Sequence, residues 1–157
     1  MTAAGRVDLH PLDRTGLQAV VDADATGRRW HPEFPLQDDR DAARMTLKHA
    51  DPVFGCYTVV ERSTGLAVGT IGFFGPPDES GVAMIGYGLV PSARGAGYAT
   101  EALRALVALA FAQPGVRRLE ADPLPDNVAS HRVLEKAGFV HTHSTADAHW
   151  YALDRRP

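Results

Sequence analysis

The chain has 157 residues, 45% of them hydrophobic, enough for one well-filled core and too few for two ordinary domains. A net charge of −3 provides no electrostatic footprint for nucleic acid or an anionic membrane surface. Cys56 is the one cysteine, which excludes an internal disulfide and fits a reducing, cytoplasmic setting; Met1–Leu12 holds no continuous apolar run, so neither signal peptide nor membrane anchor is expected.

In chain order, Arg6–Leu12 alternates weakly and reads as an edge strand ending at Pro11 and Asp13. Leu17–Ala25 reads as a first helix, Gly27–Gln37 with its two prolines as a loop, and Asp38–His49 as a second helix. Phe54–Arg62 and Leu66–Phe74 are strands joined by the hairpin signal Ser63-Thr64-Gly65, and Val82–Val90 is a further strand after a Pro/Gly loop. Gly97–Gln113 has the clearest period: Ala99, Ala102, Leu103, Leu106, Val107, Ala110 and Phe111 share one helical face, and Pro114-Gly115 stops it. A short strand from Val116, a helix capped by Asp126 or Asn127 and stopped at Gly138, and strands near Val140–Ser144 and His149–Asp154 complete the order. This is an α+β pattern with a mixed, mostly antiparallel sheet.

The richest stretch is Gly86 to Ala102, a strand, a tight glycine turn and the first turn of a helix. Such a turn leaves several backbone N–H groups pointing one way at a helix N-terminus, where the dipole favours negative charge, and glycine lets a phosphate approach the main chain. A Walker loop is excluded by the missing Gly-Lys-Ser/Thr, and a dinucleotide fold by the loop's place past mid-chain. A plain strand–helix turn with glycines for tightness stays open on the loop alone. Asn127-Val128-Ala129-Ser130 through Leu134-Glu135-Lys136-Ala137-Gly138-Phe139 forms a second pattern downstream.

The Arg-x-x-Gly-x-Ala spacing of Arg94–Ala99 resembles the acyl-CoA pyrophosphate loop of the GNAT superfamily of N-acetyltransferases. Asn-x-x-Ser-x-x-Val-Leu-Glu-Lys-x-Gly-Phe is similar to that superfamily's second signature, in the branch that includes the ribosomal-protein N-terminal acetyltransferases. Together the motifs cover Gly81–Phe139, over a third of the chain. The resemblance implies a single domain over residues 1–157, splayed strands holding acyl-CoA, and acetyl-CoA as co-substrate. It places Leu89, Val90, Arg94, Gly95, Ala96, Gly97, Tyr98, Ala99, Thr100, Asn127 and Ser130 at the cofactor. The acceptor is a primary amine on a small molecule or a protein N-terminus. An edge strand at either terminus leaves a homodimer open.

Amine attack on a thioester needs an oxyanion donor, an acid for the sulfur and a path for the amine proton. The resemblance assigns the donor to the backbone N–H near Val90, freed by a bulge that Gly86 and Gly88 suggest; steric relief under a large neighbour such as Trp150 is the other account of those glycines. Many relatives carry a tyrosine acid where this chain has Leu134, so the role passes to Ser130, a residue that can equally bond backbone in a first helical turn. Where relatives read Glu-Ile-Gly-Tyr this chain has Met84-Ile85-Gly86-Tyr87, which leaves His31, Glu33, Asp147 or Tyr87 through water as candidates for the base. Trp30, His31 and Glu33 fall where the family builds one acceptor wall, or else plug the core, and Tyr151 falls near the acceptor mouth. His141 and His143 would share a strand face but lack further ligands at zinc-like spacing, so no metal is expected. Met84 and Leu134 keep a second function open, an acyl-CoA-binding module with weak or no catalysis.

Overall fold

The computed structural model describes residues 2–3, 5–49 and 51–157. Among these residues eight strands form one sheet in the order β1-β2-β3-β4-β5-β6-β8-β7. They are β1 (Thr2–Ala3), β2 (Val7–Pro11), β3 (Cys56–Glu61), β4 (Leu66–Phe73), β5 (Val82–Leu89), β6 (Arg118–Ala121), β7 (Val140–Ser144) and β8 (His149–Asp154). Every neighbouring pair is antiparallel except β5 and β6. The α+β expectation is borne out. One strand moves: β2 is not the edge, because β1 pairs outside it through Thr2↔Leu9 and Ala3↔Asp8.

Among the described residues four α-helices pack on this sheet: α1 (Arg14–Asp22), α2 (Gln37–Thr46), α3 (Tyr98–Phe111) and α4 (Val128–Lys136). Helix α1 starts before the expected Leu17 because Asp13 caps it, its carboxylate accepting the Gly16 N–H at 2.7 Å, and it ends where Ala23 turns left-handed at φ 53°. Helix α3 supplies the central ridge, with Leu103, Leu106 and Ala110 fully buried. Asn127 caps α4, its side chain accepting the Ser130 N–H at 3.2 Å.

One sequence expectation changes here. The β7–β8 register shifts between His141 and His143, which sets His141 opposite Tyr151 and His143 opposite Trp150. The extra residue flips the alternation, so the two histidines do not share a face: His141 packs on the His149 and Tyr151 rings, and His143 stacks on Trp150. Leu134, where relatives carry an acid, has no exposed surface and belongs to the core.

Candidate active site

Strand β5 organises the site. The Val90 N–H donates to the Val68 carbonyl at 2.8 Å and the Phe74 N–H to the Met84 carbonyl at 3.0 Å. Even-numbered positions of β5 therefore turn their main chain toward β4, and Tyr87 and Leu89 turn theirs to the opposite edge. On that edge β6 pairs only with Val82–Met84, so from Ile85 onward β5 borders a gap. The β4–β5 register runs unbroken from Gly69↔Leu89 to Phe73↔Ile85. The expected bulge and the freed Val90 N–H are thus both overturned: Val90 is fully buried with its N–H engaged, and the N–H groups facing the gap belong to Tyr87 and Leu89.

Side chains alternate likewise between the two sheet faces. Thr70 pairs with Gly88 and Gly72 with Gly86, and the Thr70 hydroxyl donates to Asp39 on α2, so this set faces α2. Tyr87 takes the other face, where its hydroxyl donates to the Ser130 carbonyl on α4 at 3.2 Å. Burial pushes the Tyr87 phenol up to about 12. It stays protonated at neutral pH and donates; the proton-accepting role expected for Tyr87 does not fit.

A cleft of about 520 Å³ lies along the gap. Tyr87 and Leu89 line it from β5, and Asn127 and Ser130 from α4. Arg94, Gly95, Gly97, Tyr98, Ala99 and Thr100 line it from the glycine turn and α3; Ala96 does not. Gly97 is the N-cap of α3 and offers no side-chain cap, so the first-turn N–H groups have no side-chain acceptor there. Gly95 and Gly97 are left-handed, at φ 81° and 84°, which is why the turn needs glycine. The Arg94 Nε donates to the Leu89 carbonyl at 3.0 Å, bracing the turn against the end of β5. Arg132 and Lys136 add positive charge at the cleft wall. A cleft lined by apolar strand edge together with cations and helix N–H groups suits a thioester arm carrying phosphates.

The acceptor side differs from the sequence expectation. Trp30, His31, Glu33 and Tyr151 line neither this cleft nor the cavity beside it. Trp30 bridges the Ala67 backbone and meets Phe34 edge-on at 5.2 Å, and His31 accepts the Glu33 N–H. The Glu33 carboxylate accepts from the Ser92 N–H at 3.0 Å and its hydroxyl at 2.8 Å, tying the loop to the turn before Arg94. These residues plug and fasten. Tyr151 is buried among the His131 and His141 rings.

In their place a cavity of about 290 Å³ opens between α2 and β3–β5, with Asp38, Asp39, Tyr87 and Gly88 common to it and the cleft. Asp39 is 2% exposed and accepts from Thr70 Oγ1 and, at 2.8 Å, from the Leu36 N–H. In sequence the acids of α2 look like ordinary first-turn carboxylates favoured by the helix dipole, and only burial sets Asp39 apart. Cys56 also borders the cavity, its thiol pushed up to about 12 by burial and therefore inert. Among the described residues no helix is long and apolar enough to cross a membrane, and no group of three or more His, Cys, Asp or Glu is placed to hold a metal.

Residues 6–140 match the family described as Acetyltransferase (GNAT) domain. The chain is 37% identical over 150 residues to the uncharacterized N-acetyltransferase YjdG of Bacillus subtilis (strain 168), covering 92% of this chain and 89% of that one. In fold it is similar to RimL, the ribosomal L7/L12 α-N-protein acetyltransferase solved with coenzyme A, at TM-score 0.70 and 18% identity over 96% of this chain and 94% of that one. It is similar as well to AAC(6')-Ib solved with ribostamycin and coenzyme A, at TM-score 0.69 and 24% identity over 96% and 94% of the two chains. The splayed strand, the glycine turn at the head of α3 and these matches lead to one conclusion: the chain belongs to the GNAT family of acetyltransferases.

Proposed function

We propose that residues 1–157 act as one domain that moves an acetyl group from acetyl-CoA to a primary amine by direct attack in a ternary complex. The observation that carries this reading is the meeting of two spaces at Tyr87 and Gly88, a charged cleft on one side and a separate cavity on the other. The loop from Arg94 to Thr100, with Arg132 and Lys136, would hold the phosphates, and the Tyr87–Leu89 edge the arm. Of the two N–H groups that face the gap, on Tyr87 and Leu89, one would receive the negative charge that develops on the carbonyl oxygen and the other would bind the arm, since positions two apart on a strand are too far separated to share one oxygen. The Tyr87 hydroxyl and Ser130 stand at the same end of the cleft, where a donor to the sulfur belongs. YjdG and RimL support N-acetylation in general, and RimL and AAC(6')-Ib span the two acceptor kinds, a protein N-terminus and a small amine. Its single buried thiol suits a cytoplasmic setting. Strand β7, exposed along its length at the end of the sheet, is the edge on which a homodimer would form.

Thermal unfolding with acetyl-CoA, CoA, ATP and NAD tests the cleft, because a ligand bound only by the folded state adds roughly 2.7 kcal/mol at a hundred times its Kd. Stabilisation by acetyl-CoA and CoA alone, followed by thiol release on adding amines, is the expected result. No response to either CoA species would overturn the reading. Binding without turnover of any amine would leave an acyl-CoA-binding module.

A further inference from the structure

The cavity beside α2 exists because of particular residues. Positions 86 and 88 of β5 face α2 and carry no side chain. A Cβ at Gly86 would come within 2.9 Å of the Phe74 ring, which closes that end, whereas a Cβ at Gly88 would meet nothing within 4 Å. Gly88 thus leaves an open passage directly opposite Thr70, and Thr70 holds Asp39. Met45 and Phe74, two large apolar side chains each 42% exposed, also line the cavity. Among the described residues no Lys, Arg or His lines it, and of its three aspartates only Asp41 has a cation, Arg44 at 3.1 Å.

From this arrangement, and resting on the transferase reading above, we propose that Asp39 is the acceptor-side catalytic residue, receiving the proton of a primary amine whose compact apolar body occupies the cavity. A carboxylate has about four lone-pair directions, and Thr70 and Leu36 use two, so an ammonium can still be accepted. A buried carboxylate without a cation is costly, and a bound ammonium relieves that cost. Burial holds the Asp39 carboxyl above the usual carboxylate range, with Asp38 adding to the rise against the hydrogen bonds from Thr70 and Leu36. Burial also lowers the pKa of an entering ammonium, which brings donor and acceptor closer. Asp38 and Asp41 from α2, Cys56 from β3 and Tyr87 from β5 are the other titratable groups around the cavity.

The protons balance as follows. The ammonium gives one proton to Asp39, and the nitrogen lone pair forms the C–N bond at the thioester carbon, placing negative charge on oxygen beside one of the N–H groups of β5 that face the gap. Collapse breaks C–S, the sulfur leaves with the electron pair and takes a proton from the hydroxyl donor at Ser130 or Tyr87, that hydroxyl is refilled by the second proton of nitrogen, and Asp39 returns its proton to solvent. Ammonium and thioester thereby give amide, thiol and one proton.

The test compares wild type with Asp39→Asn, which keeps the size and can still bond both Thr70 and Leu36. With acetyl-CoA and 2-phenylethylamine, wild type should turn over well and kanamycin, a polycation with many hydroxyls, poorly. Asp39→Asn should lower kcat by about 10²–10⁴-fold. It should also abolish the acidic limb of the kcat/KM profile and leave CoA-induced thermal stabilisation unchanged. Gly88→Val, which narrows the passage, should raise KM for 2-phenylethylamine at least tenfold. An Asp39→Asn enzyme within threefold of wild type, or one that keeps the acidic limb, overturns the role of Asp39. Turnover confined to kanamycin or to peptide N-termini overturns the substrate class. Failure of wild type to turn over any amine would instead defeat the transferase reading.

Discussion

Replacing Gly95 by alanine separates the folding role of the glycine turn from its binding role. Gly95 sits at φ 81°, and an L-residue there costs roughly 1–2 kcal/mol. Loss of glycine's freedom in the unfolded chain returns roughly 0.4–1 kcal/mol. No clash adds to this, because a Cβ at 95 meets nothing within 4 Å. The net loss should be about 1 kcal/mol, or about 2–4 °C in Tm for a chain of this length. The open space is the cleft itself, so the methyl should push a phosphate off the loop N–H groups. One charge-assisted hydrogen bond lost, about 1.5–3 kcal/mol, weakens CoA roughly ten- to a hundredfold. Gly97→Ala should cost more stability: its φ is similar, but its Cβ lies 3.0 Å from the Arg6 guanidinium, which is held by Glu101 and stacked on Tyr98. Calorimetric titration of CoA alongside thermal unfolding reads both effects. A Gly95→Ala protein that binds CoA within twofold of wild type would refute the assignment of this turn to the phosphates.

Leu134→Ala should destabilise by about 2–5 kcal/mol in urea unfolding, because the side chain is fully buried; a loss below about 1 kcal/mol would contradict its place in the core. The two Ser92 donors hold the Glu33 carboxyl below its ordinary value, so their contact stabilises above that value and is lost as pH falls through the lowered one. A Glu33 titration followed by NMR should therefore have a depressed midpoint, and an ordinary midpoint would mean the loop is not fastened as described. Asp39 has the opposite sign. Its folded carboxyl binds a proton more tightly than the unfolded one, so stability should rise as pH falls from neutral through the raised pKa toward the ordinary range. Asp39→Asn should remove that rise, and a rise of equal size in the variant would assign it to another group.

The sequence by itself determined the elements and the glycine turn that leads into α3. Helix α3 was legible from its 3.6-residue apolar period, the hairpin from Ser63-Thr64-Gly65, and the anion turn from glycines that local backbone geometry demands at positions 95 and 97. These are short-range properties, written within one turn or one strand. The cavity beside α2 was decided by tertiary structure. Asp39 and Gly88 are 49 positions apart and become neighbours only through Thr70 and the β4–β5 register. Before folding, Asp39 is one of several acids at a helix start, and Trp30, His31 and Glu33 look more like a pocket than it does. Which N–H groups face the gap was equally undecidable, since strand parity follows from hydrogen bonds to β4 and a one-residue change reverses it. Burial, register and the angle at which β5 leaves β6 are properties of the assembled sheet, and they place the chemistry.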